Sequence, residues 1–148
     1  MKFNLVISPE KEEEITAVVH SRSKLTDGIE RLVREYSGDT RIYACSEEGG
    51  SYRSLDYGEI ECITVESGKT VVIASDGRRY TCRRRLYEFE NSLPSCFIRI
   101  NKSAIANGNM IKEYRASFSG GVNAVFRSGY ADYVSRRCFA AIRKENGK

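Results

Sequence analysis

Turn signals recur along most of this chain at a spacing too short for helices and right for antiparallel strands. After Gly38 they fall at Glu47-Glu48-Gly49-Gly50-Ser51, Glu66-Ser67-Gly68, Asp76-Gly77, Ser119-Gly120-Gly121 and Ser128-Gly129. Between them lie short β-branched and aromatic runs: TRIYACS, SYRSLDYGEIECITV, KTVVIAS, RRYTC, MIKEYRASF, VNAVFR and YADYV. The Asp76-Gly77 pair is the strongest hairpin signal, because a two-residue turn needs positive φ, which Gly and Asp tolerate best. Regular turns of this kind predict a mostly β body of short antiparallel strands.

Small helices interrupt the strands. LYEFENSLP places Leu86, Phe89 and Leu93 on one face and stops before Pro94. SRRCFAAIRK has Ser135 as N-cap and turns Phe139 and Ile142 inward. SAIANG is expected to form a single helical turn, capped by Ser103 and ended near Asn107-Gly108. Ahead of the body, KFNLVIS and EITAVVHS read as strands, the second also compatible with a helix. In KLTDGIERLVREYSG, Leu25, Ile29, Leu32, Val33 and Tyr36 follow helical spacing and Gly38 marks the stop. Residues 1–40 therefore read as a ββα or βα extension and 41–148 as the body. The apolar face of that helix must pack on the body or on a second chain.

Several function classes are disfavoured. The five cysteines (Cys45, Cys62, Cys82, Cys96, Cys138) form no CxxC, and His20 is the single histidine, so neither a zinc site nor a cysteine–histidine nucleophile is expected. Glu12-Glu13-Glu14 reads as a solvated acidic run. The expectation is a binding protein: no enzyme, metal, cofactor or small-molecule substrate. No apolar run approaches ~20 residues, and MKFNLVISPEKEEE lacks the pattern of a secretory signal. A cytoplasmic location is expected.

Charge says what is bound. Residues 1–40 hold 6 Lys and Arg against 8 Asp and Glu, whereas 78–144 hold 14 against 4, net +10. Such a one-sided field favours an anionic partner. Cations also stand where helix N-termini disfavour them, at Arg83-Arg84-Arg85, at Asn101-Lys102 before Ser103, and at Arg136-Arg137. That placement makes sense if a phosphate arrives, since helix N–H groups and Arg or Lys then share the anion. Lys69 adds a fourth contact. Most aromatics occupy alternating strand positions instead of forming a stacking platform. Duplex DNA is favoured, with phosphate contacts positioning amide and guanidinium groups at base edges. The alternative is a module for RNA or another polyanion using the same basic face.

FIRINKSAIANGNMIKEYR, followed about twenty residues later by GYADYVSRRCFAAIRK, resembles the LytTR DNA-binding domain of bacterial transcription regulators. EIECITVESGKTVVI (Glu59 to Ile73) and Leu93-Pro94 fit the same pattern, from near Arg41 to about Arg143. The resemblance implies a mostly β fold that reads duplex DNA through loops, entering successive major grooves. It assigns DNA contact to Lys69, Asn101, Lys102, Ser103 and Arg137, with Arg136 beside it; the charge pattern adds Arg84 and Arg85. Many members have His or Arg where this chain has Lys69, Asn101 and Lys102, which bears on the preferred sequence. Residues 1–40 are too short for a receiver domain, so the chain resembles the stand-alone subgroup. That subgroup implies paired DNA repeats upstream of genes, two copies on DNA, and a small membrane protein as inhibitor.

Overall fold

The computed structural model describes residues 2, 4–11, 14–36 and 41–146. Ten strands and three α-helices follow one another as α1 (Lys24–Tyr36), β1 (Arg41–Ser46), β2 (Tyr52–Asp56), β3 (Ile60–Glu66), β4 (Lys69–Ala74), β5 (Arg79–Cys82), α2 (Leu86–Glu90), β6 (Phe97–Asn101), β7 (Ala104–Asn107), β8 (Ile111–Ala116), β9 (Val122–Phe126), β10 (Ala131–Val134) and α3 (Arg136–Glu145). All pairings are antiparallel. Seven strands form one sheet in the order β2-β1-β5-β4-β3-β7-β6, and three form a second, β10-β9-β8. The expected mostly β body is present, and the Asp76-Gly77 turn joins β4 to β5 with Gly77 at φ 83°.

Burial on both faces of the large sheet explains its least alternating strands. On one face, Ile42, Leu55, Ile63, Val72 and Tyr80 pack with Leu86 and Phe89 of α2 and with Leu93, Phe97 and Ile105. On the other, Cys62, Val71, Ile73, Ile100, Ala104 and Ala106 pack against Ala124, Phe126 and Val134 of the small sheet and Ile142 of α3. Consecutive residues of β4 thus enter opposite cores, and the strand reads as an unbroken apolar run. Leu86, Phe89 and Leu93 lie inward as their spacing predicts, and Ser135 caps α3 by accepting from the Cys138 N–H at 3.2 Å.

Two bulges bind the small sheet to the large one. The β3–β4 register slips between Ile60 and Cys62, which redirects the intervening Glu61. Its buried carboxylate accepts from the Ser128 N–H at 2.9 Å and the Ser128 hydroxyl at 2.5 Å, in the β9–β10 turn. The β6–β7 register slips between Arg99 and Asn101, and the Ile100 carbonyl, released from the ladder, accepts from the Ser135 N–H at 2.8 Å. Cys62 lies in this inter-sheet core, where burial pushes its thiol well above the usual range. It packs as a small apolar residue and stays protonated.

The fold corrects two readings. SAIANG forms no helical turn. Ala104–Asn107 is β7, paired to β3 and β6, and only Gly108–Met110 form a short 3₁₀ turn. All four β7 residues are buried, so pairing on both sides overrides a local capping pattern. Nor do the N-terminal strands form: among the described residues, 4–8 and 14–21 belong to no strand. Leu5, Val6, Ile7, Ile15 and Val18 are exposed, and β-propensity without a partner strand makes no sheet. The α1 helix is present, but its apolar face is only partly covered. Ile29 and Val33 are half-buried, while Leu25 and Leu32 stay exposed. Gly38, the Glu12-Glu13 pair and the Tyr36 side chain lie outside the described residues. Among the described residues no helix is long and apolar enough to cross a membrane.

Candidate nucleic-acid interface

Strand register brings the cationic loops together. Glu66 pairs with Lys69 at the end of the β3–β4 hairpin, and Thr70 pairs with Cys82, so Arg83 follows at the same end. Thr64 pairs with Ala104, which places the Lys102-Ser103 turn of β6–β7 beside the β3–β4 turn. Ser135, bonded to Ile100, starts α3 next to that turn. One end of the large sheet therefore carries, in order, Arg83–Arg85, Lys69, Lys102 and Arg136-Arg137. With strands roughly 4.8 Å apart, β5 to β6 spans about 19 Å, and the second sheet stacks about 10 Å away on one face of the first.

The β3–β4 tip is a two-residue turn, Ser67-Gly68, with φ of 50° and 76°. Positive φ at both positions suits the strand twist and favours the glycine. Its neighbour turn is held from three sides. The Ser103 carbonyl accepts from the Val65 N–H at 2.9 Å and the Thr64 hydroxyl at 3.2 Å. Arg99 donates to the Asn101 carbonyl at 2.9 Å and the Lys102 carbonyl at 2.7 Å, and pairs with Glu90 at 2.6 Å. Asn101 closes the turn from below.

Asn101 is 1% exposed. Its side-chain oxygen accepts from the Ser103 N–H at 2.7 Å, and its amide nitrogen donates to the Tyr133 carbonyl at 2.8 Å and to Asp132 at 3.4 Å. Asp132 in turn accepts from the Tyr130 hydroxyl at 3.1 Å. Burial, with the adjacent carboxylate, raises that phenol far above its usual range, so it remains a donor. The expected groove-reading amide is thus consumed inside the protein. It clamps the β6–β7 turn to β10, immediately before α3.

The other candidates divide by what they touch. Lys69, Lys102, Arg136 and Arg137 are exposed and make no ion pair among the described residues. Arg84 is turned inward: its guanidinium lies 4.3 Å from the Phe89 ring, donates to Ser92 at 3.0 Å and approaches Glu88 at 3.9 Å. Arg83 and Arg85 remain exposed. Ser103 caps no helix, since none follows it; the placement of cations ahead of a helix holds at α2, where Arg85 is the N-cap of a five-residue helix, and at α3, where Arg136 and Arg137 open ten residues of helix. Arg99, which organises the turn, was not legible as a site residue because an arginine inside FIRIN looks like any strand cation.

A line of uncompensated cations on rigid β-turns, with a helix N-terminus beside it, defines a surface for an anionic polymer. The match to known proteins says which. Residues 50–146 match the family model described as the LytTr DNA-binding domain, about two-thirds of the 148 residues, and the chain belongs to that family. It is 28% identical, over 97% of both chains, to an uncharacterized HTH-type transcriptional regulator of Staphylococcus aureus strain MSSA476, and 27% identical over the same shares to one of strain NCTC 8325. A solved LytTr DNA-binding domain from Bacillus cereus superposes with a TM-score of 0.64 at 25% identity, covering 75% of this chain and all of that one. Although those relatives are described as HTH-type regulators, no two α-helices of this chain are joined directly among the described residues, because strands separate α1, α2 and α3.

Proposed function

We propose that this protein is a sequence-specific transcription regulator that reads duplex DNA with the loop-bearing end of its sheets, in the cytoplasm. The observation that carries the reading is the alignment of Lys69 and Lys102, at hairpin ends fixed by strand register, with Arg136 and Arg137 at the start of α3, all exposed and without an ion pair among the described residues. From Arg83 at the end of β5 to Arg137 the line extends roughly 20–25 Å, four strand spacings within the large sheet and one sheet spacing across its face. Its basic loops contact the major grooves of the duplex. Lys102 at the β6–β7 tip and Arg137 at the start of α3 are the base-edge candidates. Lys69, Ser103, Arg136 and Arg85 serve phosphates, and Arg84 supports α2. Asn101 acts by positioning.

Residues 1–40 form an extension separate from the DNA-reading domain of residues 41–148. Its exposed aliphatic residues, Leu5, Val6, Ile7, Ile15, Val18, Leu25 and Leu32, support a role in contacting another protein, whether a second copy on paired repeats or a restraining membrane partner.

The test is a binding isotherm on duplex DNA over a salt series. Each phosphate contact contributes a slope of about −0.9 in log K against log salt, so Lys69→Ala should lower the slope by about one. Binding to the preferred duplex should persist in excess unrelated duplex and single-stranded RNA. Displacement by heparin and single-stranded RNA as readily as by the preferred duplex would instead favour the RNA or polyanion module.

A further inference from the structure

Phe118 is 115% exposed, at the tip of the β8–β9 hairpin. Phe89, Phe97 and Phe126 are buried, and Phe139 packs against Tyr114 with ring centroids 5.6 Å apart. A fully solvated phenylalanine leaves its whole ring in water, which folding alone does not favour. The hairpin presents it rigidly: the Ser117 N–H donates to the Gly121 carbonyl at 2.8 Å, the Gly120 N–H to the Ser117 carbonyl at 3.0 Å, and the Ser117 and Ser119 hydroxyls meet at 2.9 Å.

Register says where this ring stands. Ala116 pairs with Val122, and Val122 pairs with Val134. The three form one row across the small sheet, so the β8–β9 tip emerges at the end where β10 runs into Ser135, Arg136 and Arg137. Two strand spacings separate them, about 10 Å. The aromatic ring thus extends the cationic line, beyond its Arg136-Arg137 end. An apolar ring beside unpaired cations suits a partner with both phosphates and stacked planar bases.

We infer that Phe118 is a DNA-contacting wedge, inserting at a base step of the duplex gripped by Lys102 and Arg137 and opening a kink there. The inference rests on the duplex-DNA reading and adds a second mode of recognition to it. Apolar side chains that enter between base pairs unstack them and bend the helix, and bending makes specificity depend on the deformability of bases that no polar group touches. Flexible pyrimidine–purine steps at the Phe118 position are accordingly favoured.

The experiment uses the full chain and the duplex with highest affinity from a genomic selection, with 2-aminopurine substituted at successive positions and a donor–acceptor dye pair on the ends. Wild type should brighten the probe at one step and shorten the end-to-end distance. Phe118→Ala should abolish both signals and weaken binding about 5–50-fold, within the range for loss of one aromatic–base stack. Phe118→Leu should retain most of the bend, because the wedge is apolar and not specifically aromatic. Melting temperature should be unchanged in both, since the ring touches no core. If Phe118→Ala binds and bends as wild type while Lys102→Ala and Arg137→Ala lose affinity, the wedge is wrong and the DNA reading stands. If the wild-type protein prefers no duplex, both fail.

Discussion

Asn101→Ala is expected to lower the unfolding free energy by about 2–4 kcal/mol, because it removes two short hydrogen bonds and leaves their protein partners unsatisfied. For a domain of this size that corresponds to a fall in Tm of roughly 5–15 °C. The partners left behind are the Ser103 N–H, on the β6–β7 turn of the large sheet, and the Tyr133 carbonyl, on β10 of the small sheet. DNA affinity should fall as well, even at a temperature where the variant is fully folded, since Lys102 and Arg136 would lose their fixed spacing. Asn101→Asp separates packing from polarity. It keeps the acceptor for Ser103 but cannot donate to Tyr133, and it sets a second carboxylate against Asp132. It should be at least as destabilised as the alanine variant. Urea denaturation of the three proteins decides the matter. A change below about 0.5 kcal/mol, the range of ordinary surface substitutions, would mean that the amide is not the clamp.

Lys102→Ala and Arg137→Ala should behave in the opposite way. Both side chains are exposed and unpaired, so truncation removes no folded-state contact and stability should shift by less than about 0.5 kcal/mol. Each should cost about 1–3 kcal/mol of binding to the preferred duplex, the usual range for a base-edge contact. The losses should add if the sites are independent and more than ~10 Å apart. A base contact also relaxes specificity at its own position, whereas loss of a phosphate contact weakens all sequences alike. Binding measured against duplexes altered at single positions therefore assigns each side chain to a base edge or to the backbone. Unfolding of either variant would show the residue to be structural and remove it from the interface.

The strands of the body were legible because their information is local. Asp76-Gly77, Ser67-Gly68 and Ser128-Gly129 name their turns, and the alternating runs between them have nowhere to go but antiparallel pairs. The helices at Leu86 and Arg136 were legible from apolar spacing and from Ser135. What failed depends on distant partners. β7 reads as a capped turn until β3 and β6 are placed on either side of it. Residues 4–8 read as part of a strand until they are found in no sheet among the described residues. The cations were legible as a group, but not individually: Arg84 and Lys102 look alike in sequence, and only Phe89 and Ser92 beside the first distinguish them. Asn101 was selected as a groove-reading amide, and the structure places that amide inside the protein, bonded to Ser103 and Tyr133. An asparagine ahead of a two-residue turn often bonds its own backbone two residues on, and that signal, weighed against groove reading, would have favoured the clamp.

Sheared genomic DNA from the source organism, incubated with the full chain at ~150 mM salt and recovered for sequencing, tests sequence-specific duplex recognition most directly, because non-specific phosphate binding is weak at that ionic strength. A small set of enriched fragments upstream of genes, sharing a paired short motif, is the predicted result. Uniform recovery across the genome, or no recovery, would contradict sequence-specific reading by the Lys69, Lys102 and Arg137 loops.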